Sequence, residues 1–176
     1  IAGIFIATLP SPAQISSCWS NFRGNSSLTG ICNVTLHGNP RLLWNFKTSA
    51  AVKAPPVVCN NTVVAGSADG NVYGLSLDGK LIWKLNTENS VEAPALIVDD
   101  VAYIGNLAGN LFAIELGTGR LKWTYKTENM IMGSPNLFQE GGKKIILVGS
   151  YDYFLHGVDP RSGEGLWKYE AENYIN

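Results

Sequence analysis

The chain has 176 residues, with 13 Lys and Arg against 14 Asp and Glu, for a formal net charge of −1. A balance this even argues against a nucleic-acid or polybasic membrane surface, because both need clustered cations to displace counterions. Nineteen Gly, five Trp and seven Tyr, without long runs of Ala, Leu, Glu and Lys, favour short strands joined by tight turns over helices.

In chain order, the apolar run IAGIFIATL at residues 1–9 is too short to span a bilayer but suits the hydrophobic region of a signal peptide. Ser11-Pro12-Ala13 follows with the small-x-small pattern of a cleavage site. Residues 1–14 therefore read as the remnant of an export signal, the alternative being a buried strand. The text ISSC at Ile15 to Cys18 also fits a lipobox, which would make Cys18 a lipidated N-terminus, although Pro10 to Gln14 separate it from the apolar run. Residues 15–40 read as an N-terminal extended segment. Cys18, Cys32 and Cys59 lack CxxC spacing, which argues against zinc. In an exported chain Cys18 can pair with Cys32, leaving Cys59 as a small buried residue in a strand.

From residue 41 onward the text repeats. Trp44, Trp83, Trp123 and Trp167 recur at intervals of roughly forty residues, and their surroundings align. Gly66, Gly105 and Gly149 share one column, Pro55, Pro94 and Pro135 another, and Tyr73, Phe112 and His156 a third. Residues 41–48 predict a lone outer strand, and 52–88, 91–128 and 131–171 predict three units of four strands. In the middle unit the strands are expected at Ala95 to Val98, Val101 to Asn106, Asn110 to Glu115 and Arg120 to Tyr125. Their turns fall at Asp99-Asp100, Ala108-Gly109 and Thr118-Gly119, where a hairpin demands positive φ. Gln139 to Lys144, a polar insertion around Gly141-Gly142, lengthens one hairpin of the last unit. Four antiparallel strands every forty residues are the signature of β-propeller blades, so an all-β, partial β-propeller is expected over residues 41–176. A blade cannot bury both faces alone and must stack on its neighbours. Trp44, Trp83, Trp123 and Trp167 are accordingly read as docking residues, each covering an adjacent blade's turn at Gly79, Gly119 or Gly163, where the missing Cβ lets a ring approach the backbone.

The stretch AIELGTGRLKW, Ala113 to Trp123, resembles the tryptophan-docking motif of pyrroloquinoline-quinone-type (PQQ-type) propeller repeats. Glu115 replaces the usual Asp of that motif, Asp159 retains it, and Ser76 lacks it in a unit one residue shorter. Trp19 to Asn25 (WSNFRGN), leading to Leu43 to Thr48 (LWNFKT), is similar to the opening of BamB-like proteins. The resemblance implies a ring of seven or eight blades, in which an N-terminal strand often completes the last. It also implies a non-catalytic, protein-binding scaffold in the periplasm or cell envelope, with β-barrel assembly components as candidate partners.

The alternative that the same superfamily implies is a quinoprotein alcohol or sugar dehydrogenase, which would hold PQQ and Ca²⁺ beside a vicinal cysteine pair. The chain has no Cys-Cys pair, and Asp69, Asp78, Asp99, Asp100, Asp152 and Asp159 stand at strand ends or turns, where Asp is expected for turn formation. No catalytic, cofactor-binding or metal-binding residue is assigned. His156 reads as a packed strand residue, and His37 lies in a polar segment without an evident partner. Departures from the repeat are then the places to look for a partner surface. At Ser150 to Tyr153 (SYDY), Tyr151 and Tyr153 replace small turn residues, either as contact residues or as filling between blades.

Overall fold

The computed structural model describes residues 18–25, 27–31 and 38–175. The export signal at 1–14, Cys32 and His37 lie outside them. The described chain forms three four-stranded antiparallel sheets, each in simple meander order. Blade 1 holds β1 (Val57–Cys59), β2 (Thr62–Gly66), β3 (Asn71–Ser76) and β4 (Leu81–Asn86). Blade 2 holds β5 (Leu96–Val98), β6 (Val101–Gly105), β7 (Asn110–Glu115) and β8 (Leu121–Lys126). Blade 3 holds β9 (Asn136–Glu140), β10 (Lys143–Gly149), β11 (Phe154–Val158) and β12 (Gly165–Glu170). The three sheets are blades of a partial β-propeller, the ring not closed, with β1 beside β5 and β5 beside β9 at the inner edge. No helix among the described residues is long and apolar enough to cross a membrane.

Turn chemistry sets the register. Asn60-Asn61, Asp99-Asp100 and Gly141-Gly142 all have positive φ, as two-residue hairpin turns require. Every second residue of a strand then faces the same neighbour. In blade 2, Ala102, Ile104, Phe112 and Ile114 pack toward blade 1, joining Val57, Val64, Val72 and Trp83 in one core. Val101, Tyr103, Leu111 and Ala113 face the other way and meet Ile146, Val148 and Val158 of blade 3. This two-sided burial explains why β6 and β7 read as continuous apolar text. β12 pairs with no further strand among the described residues, and all six of its residues are exposed.

The recurring Gly and Trp columns have direct steric causes. A Cβ on Gly66, Gly105 or Gly149 would lie 2.4, 2.1 and 2.4 Å from the side chains of Val91, Ile131 and Ile175, the apolar residues of the segments that follow each blade. The indole of Trp44 lies on Gly79, that of Trp83 on Gly119 and that of Trp123 on Gly163, with a Cβ excluded at 2.5–2.6 Å in each case. Each Nε1 also donates to a carbonyl of the same turn: Trp44 to Leu77 (2.8 Å), Trp83 to Leu116 (2.6 Å) and Trp123 to Pro160 (3.1 Å). Trp167 packs on Gly157 of its own sheet and is 42% exposed, with no following turn to cover among the described residues.

Residues 41–48 make no ladder with any described strand, and Trp44 seats on blade 1 as the other docking Trp residues seat on theirs. One expectation is corrected: Cys18 bonds to Cys59, not Cys32. Trp19 and Val58 exchange main-chain hydrogen bonds of 2.7 and 2.9 Å in an antiparallel bridge, which places Cys18 opposite Cys59 with Cα atoms 4.3 Å apart. A lipid thioether would require the same Cys18 sulfur, so the disulfide and lipidation are mutually exclusive. Ser20 continues the bridge by accepting from Ile97 N–H at 2.6 Å, so the N-terminal segment lies across the inner strands of two blades.

Gly117 and Gly119 provide an internal control. Gly119→Ala meets both a φ of +72° and the Trp83 ring and should cost about 1–3 kcal/mol. Gly117→Ala, with nothing within 4 Å, should change stability by only a few tenths. Urea denaturation of the two variants checks the difference.

Candidate functional site

One face of the partial ring gathers the β2–β3, β6–β7 and β10–β11 turns together with the segments that link successive blades. Blade 1 uses Ala68-Asp69-Gly70 here, blade 2 Leu107-Ala108-Gly109 and blade 3 Tyr151-Asp152-Tyr153. Gly70 and Gly109 have φ of 84° and 79°, and Tyr153 adopts the same left-handed conformation with φ of 72°. For a bulky residue this conformation costs roughly 1–2 kcal/mol. A Cβ on Gly109 would lie 2.3 Å from the Asn129 carbonyl and 2.9 Å from Thr127 Oγ1, whereas one on Gly70 would meet nothing closer than 3.4 Å. The Tyr153 ring is 51% exposed, so burial does not compensate the strained backbone.

Tyr151 behaves differently. It stacks on Tyr174 with centroids 4.4 Å apart and planes 11° from parallel. The same two columns hold Ala68 with Ser90 in blade 1 and Leu107 with Met130 in blade 2, so the pair grows in size together.

Beneath Tyr153 lies a polar network that turn chemistry alone did not predict for Asp152. Its carboxylate accepts from Phe154 N–H (3.1 Å), as a turn-former does, but also from Glu128 N–H (3.0 Å) and His156 Nε2 (3.1 Å). With Nε2 donating to Asp152, Nδ1 of His156 faces the Tyr125 hydroxyl at 3.0 Å, a hydrogen bond that ties blade 2 to blade 3. Burial alone would raise the Asp152 carboxyl, but these hydrogen bonds outweigh it and hold the group below its ordinary range. Tyr125 is pushed up by burial and then by the Asp152 charge. His156 is thus a packed strand residue, buried and fully hydrogen-bonded, and closed to substrate.

Blade 1 repeats the device with Asp69 accepting from Tyr73 Oη at 2.7 Å. Burial raises Asp69, yet bonds from Asn71, Tyr73 and Ser49 outweigh it and lower the carboxyl to about 2. Tyr73 is raised to about 12 by burial and by Asp69. Blade 2 has Ala108 and Phe112 in the same two columns, so the carboxylate and its polar ring are lost together. The i, i+4 spacing of Asp69 with Tyr73 and Asp152 with His156 was the available sequence signal.

Residues 39–137 match the family described as outer membrane protein assembly factor BamB. Among solved structures, BamB from Moraxella catarrhalis superposes with a TM-score of 0.62 at 21% identity, over 73% of this chain and 39% of that one. The quinohemoprotein alcohol dehydrogenase from Comamonas testosteroni gives 0.70 at 21% identity, over 87% and 27%. The computationally designed Ika4 protein gives 0.66 at 19% identity, over 79% and 85%. At these identities the likeness is one of fold. The chain spans about two fifths of the matched BamB. No curated protein matches it.

Two outcomes follow. Tyr153→Gly should raise stability by about 0.5–1 kcal/mol in urea melts, because relief of the left-handed strain exceeds the added flexibility of glycine. Because the Asp69 carboxyl is lowered on folding, its contribution is present above pH of about 4 and is lost as pH falls toward about 2. Melts across that window should show a shallower loss of stability for Asp69→Asn than for the parent chain.

Proposed function

The chain belongs to the BamB family of PQQ-type repeat propellers, and from that premise we propose that it is a non-catalytic scaffold of the cell envelope that binds a protein partner through the face presenting Tyr153. The observation that carries this reading is Tyr153 itself, a half-exposed aromatic ring held at a backbone position that the other two blades give to glycine. Strain of this kind, uncompensated by burial, supports a contact role, and Tyr is favoured where one side of a ring meets a partner and the other water. The Phe154 ring, covered by Lys168 Nζ at 4.4 Å, extends the aromatic surface beside it. The family supports β-barrel assembly components as the partner. Export is supported by the Cys18–Cys59 disulfide, since such bonds persist in oxidising compartments.

The second reading, a quinoprotein dehydrogenase, is favoured by the fold likeness to quinohemoprotein alcohol dehydrogenases. Among the described residues no three His, Cys, Asp or Glu converge to hold a metal ion such as Ca²⁺. Titration of the full-length protein with PQQ and Ca²⁺, followed by dye-linked alcohol oxidation, tests it directly.

For the scaffold, full-length protein should capture β-barrel assembly components in a pull-down. Tyr153→Gly should lower that capture about tenfold or more while the fold becomes no less stable. Undiminished capture by the variant would move the contact elsewhere on the ring.

A further inference from the structure

The hairpin between β9 and β10 is longer than its counterparts. Blades 1 and 2 turn directly after the rungs Cys59↔Thr62 and Val98↔Val101, whereas blade 3 adds Gln139↔Lys144 and Glu140↔Lys143. The added rungs form one wall of a groove of about 730 Å³ between blades 2 and 3. Both walls belong to complete blades. The apolar lining comes from Val101, Tyr103, Ile145 and Leu166. The charged lining has four cations, Lys122, Lys143, Lys144 and Arg161, and two carboxylates, Asp99 and Asp159.

The carboxylates are already engaged. Asp99 is paired with Lys144 across the groove. Asp159 accepts the N–H groups of Arg161 at 2.7 Å and Ser162 at 3.1 Å and makes a long ion pair with Arg161 Nε at 4.0 Å. Glu115 is occupied by Thr118 and Arg120, so it reaches Lys122 only as a more distant charge. Glu140 stands across the ladder from Lys143 without an ion pair between them. Blades 1 and 2 neutralise the cations of their matching turns, Lys80 with Asp78 at 2.7 Å and Arg120 with Glu115 at 3.2 Å. Blade 3 pairs Arg161 with Asp159 only at 4.0 Å, and Lys122 of blade 2 and Lys143 of blade 3 make no ion pair with any described residue, so these cations border an apolar recess of the size that holds small organic ligands.

We propose that this groove binds a small organic acid, with its carboxylate or phosphate among Lys122, Lys143 and Arg161 and its apolar body against Tyr103, Ile145 and Leu166. The acid group is the shared chemistry, whether it belongs to a free acid or to the acidic side chain of a peptide. The site is independent of the Tyr153 face.

Calorimetric titration of the full-length protein with phenyl phosphate, the blocked peptide Glu-Leu-Glu and inorganic phosphate tests the assignment. Either organic probe should bind at least about tenfold tighter than inorganic phosphate, and the tighter of the two identifies the source. The Lys122→Gln, Lys143→Gln double variant should weaken that binding at least about tenfold, while Lys47→Gln, outside the groove, leaves it unchanged. Both positions are exposed, so the double variant should retain the parent's urea midpoint. Absence of saturable binding, equal affinity for inorganic phosphate, or full binding by the double variant would overturn the proposal.

Discussion

An indole N–H that reaches a carbonyl 33 to 37 residues further along the chain is the interaction on which this architecture depends. Each blade is a thin sheet with apolar side chains on both faces, so it is stable only when sandwiched. Stacking by hydrophobic contact alone would leave the blades free to slide. The Trp ring, fitted over a turn that lacks a Cβ and fastened by one directional hydrogen bond, fixes the offset between neighbours. Blade 2 has this relation on both sides, and its β6 is buried throughout.

Much of this arrangement was legible because it is repeated. The period of the Trp residues, the Gly turns and the continuous apolar strands of blade 2 are local signals that three copies reinforce. The strands of blade 2 lie within a residue of their expected bounds. The disulfide was not legible, since Cys59 becomes the partner of Cys18 only through a main-chain bridge between segments 41 residues apart.

The site was legible only in part. Tyr151 and Tyr153 look alike in the sequence, yet one is stacked on Tyr174 and the other is held exposed in a left-handed turn. Neighbouring columns change together: Tyr151 with Tyr174, and Asp152 with a polar ring at position 156. Each blade thus retains the packing scheme while exchanging matched sets of residues, which is how a repeat acquires individuality without losing its neighbours.

The bond between Cys18 and Cys59 also bears on how the fold is reached. The inner strands of blades 1 and 2 meet a segment that precedes them in the chain, a contact whose loop-closure entropy must otherwise be met by packing alone. A covalent link across 41 residues removes about 4 kcal/mol of that entropy from the unfolded ensemble. Once the thiols are oxidised, the long-range bridge becomes effectively a short-range one, and pairing at the inner edge no longer has to wait for a distant collision. Thiol oxidation is thereby coupled to closure of the inner edge of blade 1.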